Sequence, residues 1–140
     1  YLPILGKLYA ASRGGGATLN DDPIRASDTA EVAGAVVLAT KPSLSAEHWP
    51  RGVPQVTRAY RPSLAYRMAL VGEGRFDAML SFRATWEWDI AAGALIIAEA
   101  GGRVTDAAGA PLRFNGEVPQ VPGVLAAAGA LHGPLLAARG

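Results

Sequence analysis

Thr85-Trp86-Glu87-Trp88-Asp89-Ile90-Ala91-Ala92-Gly93-Ala94-Leu95-Ile96-Ile97-Ala98-Glu99-Ala100-Gly101-Gly102 is the stretch whose reading decides how this chain folds. Residues 90–100 are rich in Ala, Leu and Ile, contain no proline, and are closed by a glycine pair. That combination predicts a helix with a marked stop. Glu87 and Asp89 stand two apart at its entry, between and beside two tryptophans. A helix start leaves unpaired N–H groups and a positive dipole end, so a carboxylate there is a cap worth about 1 kcal/mol. The same pair also suits a hard cation, one carboxylate ligating and the other held near it, with the indoles as a shield. Spacing leaves both readings open.

Working outward, Leu64, Met68 and Val71 fall at i, i+4 and i+7 and predict a helix begun by Pro62-Ser63 and stopped by Gly72 and Gly74. Phe76, Ala78, Leu80 and Phe82 alternate, which predicts a strand. Downstream, Arg103 to Asp106 and Pro111 to Phe114 read as short edge strands, followed by an Asn115-Gly116 turn. Val124 to Ala128 is a last strand and Ala130 to Arg139 a last helix, with Pro134 expected in its first turn.

Upstream, Val32 to Thr40 fits a buried strand, and Pro42 to Pro54 reads mostly as loop. Lys7 to Ser12 and Ala17 to Asn20 form a hairpin about Arg13-Gly14-Gly15-Gly16. The triple glycine lacks the lysine and following helix of a phosphate loop, so it is read as a turn. Alternating strands and helices without repeat or linker predict one layered α/β domain over residues 1–140, a mixed sheet with packed helices.

The 140 residues carry 13 Lys and Arg against 12 Asp and Glu, a formal charge of +1. So even a balance argues against a nucleic-acid polymer as partner, because that surface needs clustered positive charge. A chain half hydrophobic and of this length buries roughly 68% of its unfolded surface, enough for a globular core. The absence of cysteine removes disulfides, thiolate nucleophiles and thiolate zinc sites. The apolar runs Ile90 to Ala98 and Val124 to Leu131 fall short of the ~20 residues a membrane span requires. The chain opens Tyr1-Leu2-Pro3 with neither Met nor a targeting pattern and reads as the interior of a longer polypeptide.

Other candidates are sparse. His48 and His132 lack the acidic or serine neighbours of a triad and read as structural or surface residues, which also disfavours zinc. Arg61 and Arg67 flank Pro62-Ser63, where free helix N–H groups beside a guanidinium would suit a phosphate; solvated arginines are the plainer reading.

Trp88-Asp89-Ile90-Ala91-Ala92-Gly93, then Glu99-Ala100-Gly101-Gly102, then Val104 and Asp106, resembles the C-terminal signature of the inositol monophosphatase superfamily, W-D-x-A-A-G with E-A-G-G a few residues later. The resemblance extends through Leu8 to Ala11, Gly14 to Ala17, Leu19-Asn20, Pro23 to Ser27, and Ala65 to Asp77, covering nearly the whole chain. Thr85-x-Glu87-Trp88-Asp89 and Glu73-Gly74 are similar to the 3'(2'),5'-bisphosphate nucleotidase branch, with Arg67 where that branch carries a phosphate-facing Lys. Two departures stand out: Pro62-Ser63 replaces the usual Gly-Ser or Gly-Thr, and Ser81-Phe82-Arg83 lacks the acidic residue of inositol-specific members.

The resemblance implies the superfamily's layered α-β-α-β-α sugar-phosphatase-like fold, of which this chain is the C-terminal half. It implies Mg²⁺-dependent hydrolysis of a phosphomonoester by a metal-activated water, with two or three ions and inhibition by Li⁺. The leading Asp of the signature ligates Mg²⁺, which maps to Asp89; substrate-binding positions map to Ser63, Leu64, Arg67, Arg83 and Glu87. No catalytic residue is expected in this half, because the Glu-rich segment and the D-P-[IL]-D-G-T motif lie upstream. Asp22-Pro23-Ile24-Arg25 matches the latter for three letters only and is assigned no metal.

A small phosphorylated metabolite is the implied partner, first a 3'(2'),5'-bisphosphate nucleotide and second an inositol phosphate, in a cytoplasmic homodimer. Competing readings are a non-catalytic module that keeps the fold and binds an anion or a partner, and a structural domain in which Glu87 and Asp89 only cap a helix.

Overall fold

Apolar alternation along three strands builds the centre. A computed structural model describes residues 1–140, with β1 (Tyr9–Ser12), β2 (Gly16–Leu19), β3 (Asp22–Pro23), β4 (Val36–Ala39), β5 (Thr57–Ala59), α1 (Leu64–Gly72), β6 (Ala78–Ser81), β7 (Thr85–Trp86), α2 (Glu87–Glu99), β8 (Gly102–Asp106), β9 (Gln120–Val121), β10 (Val124–Ala128) and α3 (Gly129–Arg139). A mixed sheet runs β5-β4-β6-β10-β8. β4 is parallel to both β5 and β6, while β10 is antiparallel to β6 and β8.

Val37, Ala39, Ala78, Leu80, Leu125 and Ala127 point to one face, where Trp49 and Leu131 and Leu135 of α3 cover them. Leu38, Met79, Val124 and Ala126 point to the other, against Leu64, Met68 and Val71 of α1 and Ile90 and Ile97 of α2. Both faces are sealed, which is why β10 is apolar throughout and β6 is buried along its whole length. The β1-β2-β3 sheet packs through Ala17, Tyr9 and Ile24 on Ile96 and Ala100, so α1 and α2 form a layer between two sheets. The expected layered α/β architecture is what the chain adopts.

α1 and α2 cross closely. A Cβ built on Gly93 would lie 2.6 Å from Met68 Cβ, and one on Gly72 2.9 Å from Ile96 Cγ2. The hairpin is pinned to the helix layer by Glu99, whose two carboxylate oxygens accept the Gly14 and Gly16 N–H groups, each at 3.0 Å. The glycine triplet therefore offers its amides to a carboxylate of its own chain.

Three local expectations change. Pro111 to Phe114 forms no strand; instead β7 pairs with β9, because two prolines and a distant anchor shape that loop. Pro134 sits in the second turn of α3, since the helix already starts at Gly129; it is exposed and removes one backbone bond there. The β6 strand is shorter than the Phe76–Phe82 alternation and ends at Ser81.

Candidate functional site

Asp89 occupies the first turn of α2, exposed, with no hydrogen-bond or ion-pair partner in the chain. Glu87, two residues earlier, is only 9% exposed and turns away. Its oxygens accept the backbone N–H groups of Asn115 at 2.8 Å and Gly116 at 3.4 Å. Trp86 holds the N-cap position and makes no side-chain cap bond, so neither carboxylate closes the helix end by hydrogen bonding. The Trp86 and Trp88 rings stack at 4.7 Å with an interplanar angle of 10° and remain exposed. Glu87 anchors the 115–116 turn, while Asp89 alone stays free to ligate.

At the head of α1, Ser63 takes φ +65°, a conformation glycine adopts without strain, and its Oγ accepts the Tyr66 N–H at 3.3 Å. Leu64 is buried in the core, so only its backbone faces outward. One turn on, Arg67 is 6% exposed, with Nε on the Ser63 carbonyl at 3.4 Å and the guanidinium 5.4 Å from the Tyr60 ring. Burial, and then repulsion from Arg83, hold its pKa below the ordinary arginine value despite the Tyr60 contribution in the other direction. Arginine nevertheless stays charged in proteins.

Arg67 and Arg83 line one cavity of about 200 Å³ together with Thr40, Ser43, His48 and Ser81. The chain's ion pairs are Lys7–Glu73 and His48–Glu47, so neither arginine has a carboxylate within 4.0 Å. A buried cation without a counter-charge is costly unless a ligand supplies one. The cavity lies where strands end: Thr40 follows β4 and Ser81 closes β6, its parallel neighbour. That is the position at which open α/β sheets bind ligands. A larger groove of about 620 Å³ beside α2 carries Arg13 and Glu87 among mostly apolar residues and lacks this charge excess.

The sequence-derived residues thus divide among three places: Ser63 and Leu64 at the head of α1, Arg67 and Arg83 in the cavity, and Asp89 on α2 with Glu87 bonded elsewhere. Thr40, Ser43 and His48 join through the loop after β4. Only their position behind a strand end signals them in the sequence.

The chain holds no cluster of three or more His, Asp or Glu side chains able to bind a metal by itself. Asp89, an unengaged hard-oxygen donor, fits Mg²⁺ as one ligand among several supplied from outside these residues. No helix is long and apolar enough to cross a membrane.

A model of the inositol monophosphatase family matches residues 1–140. The inositol-1-monophosphatase of Mesorhizobium japonicum is 33% identical over 132 residues, covering 84% of this chain and 47% of that protein. A putative Nus factor SuhB of Neisseria meningitidis is 35% identical over 117 residues, 78% of this chain and 44% of the relative. The structure of an inositol monophosphatase from Anabaena superposes with a TM-score of 0.81 at 29% identity, covering 99% of this chain and 56% of that one. With its sheet, its helix layer and its signature helix in place, the chain belongs to the inositol monophosphatase family. It spans about half the length of the relatives it matches.

Proposed function

We propose that this chain is the C-terminal half of a Mg²⁺-dependent phosphomonoester hydrolase acting on a 3'(2'),5'-bisphosphate nucleotide. The observation that carries the substrate class is Arg67, buried beside Arg83 with no carboxylate partner. A buried guanidinium with an exposed second one beside it calls for a second anionic group on the substrate, apart from the phosphate that is cleaved. Bound Mg²⁺ would supply an activated water and neutralise the phosphate oxygens. Asp89 would hold metal at the head of α2. Ser63 and the Leu64 backbone N–H would orient the substrate, and Glu87 would fix the 115–116 turn beside it.

The 140-residue chain alone contributes one metal ligand, so it is expected to bind Mg²⁺ weakly and hydrolyse nothing. Lithium inhibition, a homodimer and a cytoplasmic location belong to the same proposal. The relatives named inositol-1-monophosphatase favour inositol phosphate as a second reading.

Phosphate release by the full-length protein decides between them. With Mg²⁺ present, kcat/KM for adenosine 3',5'-bisphosphate should exceed that for inositol 1-phosphate by at least about tenfold. The reverse order would overturn the nucleotide assignment.

A further inference from the structure

We propose that Glu87 is a positioning residue for Asp89: its carboxylate, locked onto the turn at residues 115–116, fixes the rotation of the head of α2 and so the direction in which the metal ligand points. The inference rests on the phosphatase reading above, and it moves Glu87 from the substrate, where the resemblance put it, to the metal.

The head of α2 has little else to hold it. Between Thr85 and Ile90, both buried, Trp86, Trp88 and Asp89 are exposed and Glu87 alone is buried. The N-cap residue Trp86 makes no side-chain cap bond, and its ring stacks on that of the equally exposed Trp88. The ladder behind it, β7 with β9, is two residues long.

Glu87 is gripped at both ends. Its backbone N–H donates to the Pro119 carbonyl at 3.0 Å, and its carboxylate accepts the Asn115 and Gly116 N–H groups at 2.8 Å and 3.4 Å. Asn115 takes φ +65°, the left-handed conformation that asparagine tolerates and that turns consecutive N–H groups towards one anion. The turn is an anion nest, and the anion seated in it belongs to the chain. No lysine, arginine or histidine forms an ion pair with Glu87, so the loop's amides alone hold its carboxylate.

Helix geometry converts that grip into aim. At about 100° per residue, positions 87 and 89 lie roughly 200° apart around the axis, so Glu87 held against the loop turns Asp89 outwards. A side-chain tip stands roughly 5–6 Å from a helix axis, and a rotation of about 10° swings it by about 1 Å. Octahedral Mg²⁺ sites hold their ligands at about 2.0–2.1 Å with a tolerance of about 0.2 Å. A few degrees of freedom at the head of α2 therefore spoil one ligand.

Calorimetric titration of the full-length protein with Mg²⁺ alone, beside phosphate release from adenosine 3',5'-bisphosphate at varied Mg²⁺, tests the assignment. Glu87→Gln keeps the side chain's size and one acceptor oxygen but sets an NH₂ group against one of the two N–H donors. It should weaken Mg²⁺ binding about threefold to tenfold, and Glu87→Ala more, while kcat at saturating Mg²⁺ stays within about threefold of native. In an Asp89→Asn background, Glu87→Gln should change Mg²⁺ affinity by less than about twofold, because its effect passes through Asp89. Native Mg²⁺ affinity in Glu87→Gln overturns the inference. So does an equal loss in the two backgrounds, the mark of a residue that only supports the fold, and so does a raised KM with unchanged Mg²⁺ affinity, which returns Glu87 to the substrate. If Glu87→Ala does not fold, the Glu87→Gln cycle decides alone. If Mg²⁺ binds with the expected coupling yet no phosphomonoester is hydrolysed, the phosphatase reading fails and the positioning role stands; a native protein that takes up no Mg²⁺ overturns both.

Discussion

Replacing Gly93 by alanine tests why a glycine stands in the signature helix. Two effects oppose each other. Alanine favours a helix interior by about 1 kcal/mol over glycine. Against that, the new Cβ would sit 2.6 Å from Met68 Cβ and 3.0 Å from its Sδ. Ordinary carbon contacts lie near 3.5–4.0 Å, a shortfall of about 1 Å. Met68 Cβ is fixed to the α1 backbone and cannot rotate aside, so the helices must separate, and Met68 is fully buried. Overpacking of this kind costs about 1–3 kcal/mol, and a backbone-to-backbone clash belongs at the top of that range.

The net is a loss of about 2 kcal/mol, or roughly 4–8 °C in Tm for a protein of the relatives' length. Gly133→Ala in α3 is the comparison: a Cβ there meets nothing within 4 Å beyond its chain neighbours, but the Pro134 ring that follows crowds it and offsets the helix gain, so stability should stay within about 0.5 kcal/mol of native. Thermal unfolding of both variants reads the contrast. A Gly93→Ala protein as stable as the native one would refute the packing argument.

Glu99→Ala should free the Gly14 and Gly16 amides and cost about 1.5–3 kcal/mol, read as faster hydrogen exchange at those two residues ahead of the β1–β2 ladder; unchanged protection would count against the clasp. His132 is fully buried, with Nε2 3.0 Å from Thr105 Oγ1 and Nδ1 unpartnered. Burial first, and the Arg103 charge second, push its pKa below 6.5, against a smaller opposing pull from the Leu125 carbonyl. The unfolded chain then binds the proton more readily, so stability is complete above pH ~6.5 and declines as pH falls below it. Denaturant titrations at pH 7.5 and 5.5 should show this decline, reduced in His132→Gln; an equal decline in that variant would assign it to other groups.

Much of this architecture was legible because it is local. The i, i+4, i+7 spacing of Leu64, Met68 and Val71 and the Ala-rich run after Asp89 delivered α1 and α2, and the apolar runs delivered β4 and β10. What escaped depends on distance along the chain. Glu87 answers to Asn115 and Gly116, a partnership no periodicity contains, and β7 pairs with a β9 of only two residues. Arg67 was reached both from its place beside the Pro62-Ser63 helix start and through resemblance, Arg83 through resemblance alone. His48 was not, because its place in the cavity follows from the parallel pairing of β4 with β6 and from packing on Phe82.

The central claim is metal-dependent phosphomonoester hydrolysis with Asp89 as a ligand, and one measurement addresses it: Mg²⁺-dependent phosphate release from adenosine 3',5'-bisphosphate by the full-length protein and its Asp89→Asn variant. Asp89 is exposed and bonded to nothing in the chain, so the substitution removes only its charge from the first turn of α2, about 0.3–1 kcal/mol, and should lower Tm by no more than about 4 °C. The account predicts that turnover falls by about 100-fold or more and that higher Mg²⁺ recovers part of it. Turnover and Mg²⁺ dependence equal to those of the native protein would contradict it.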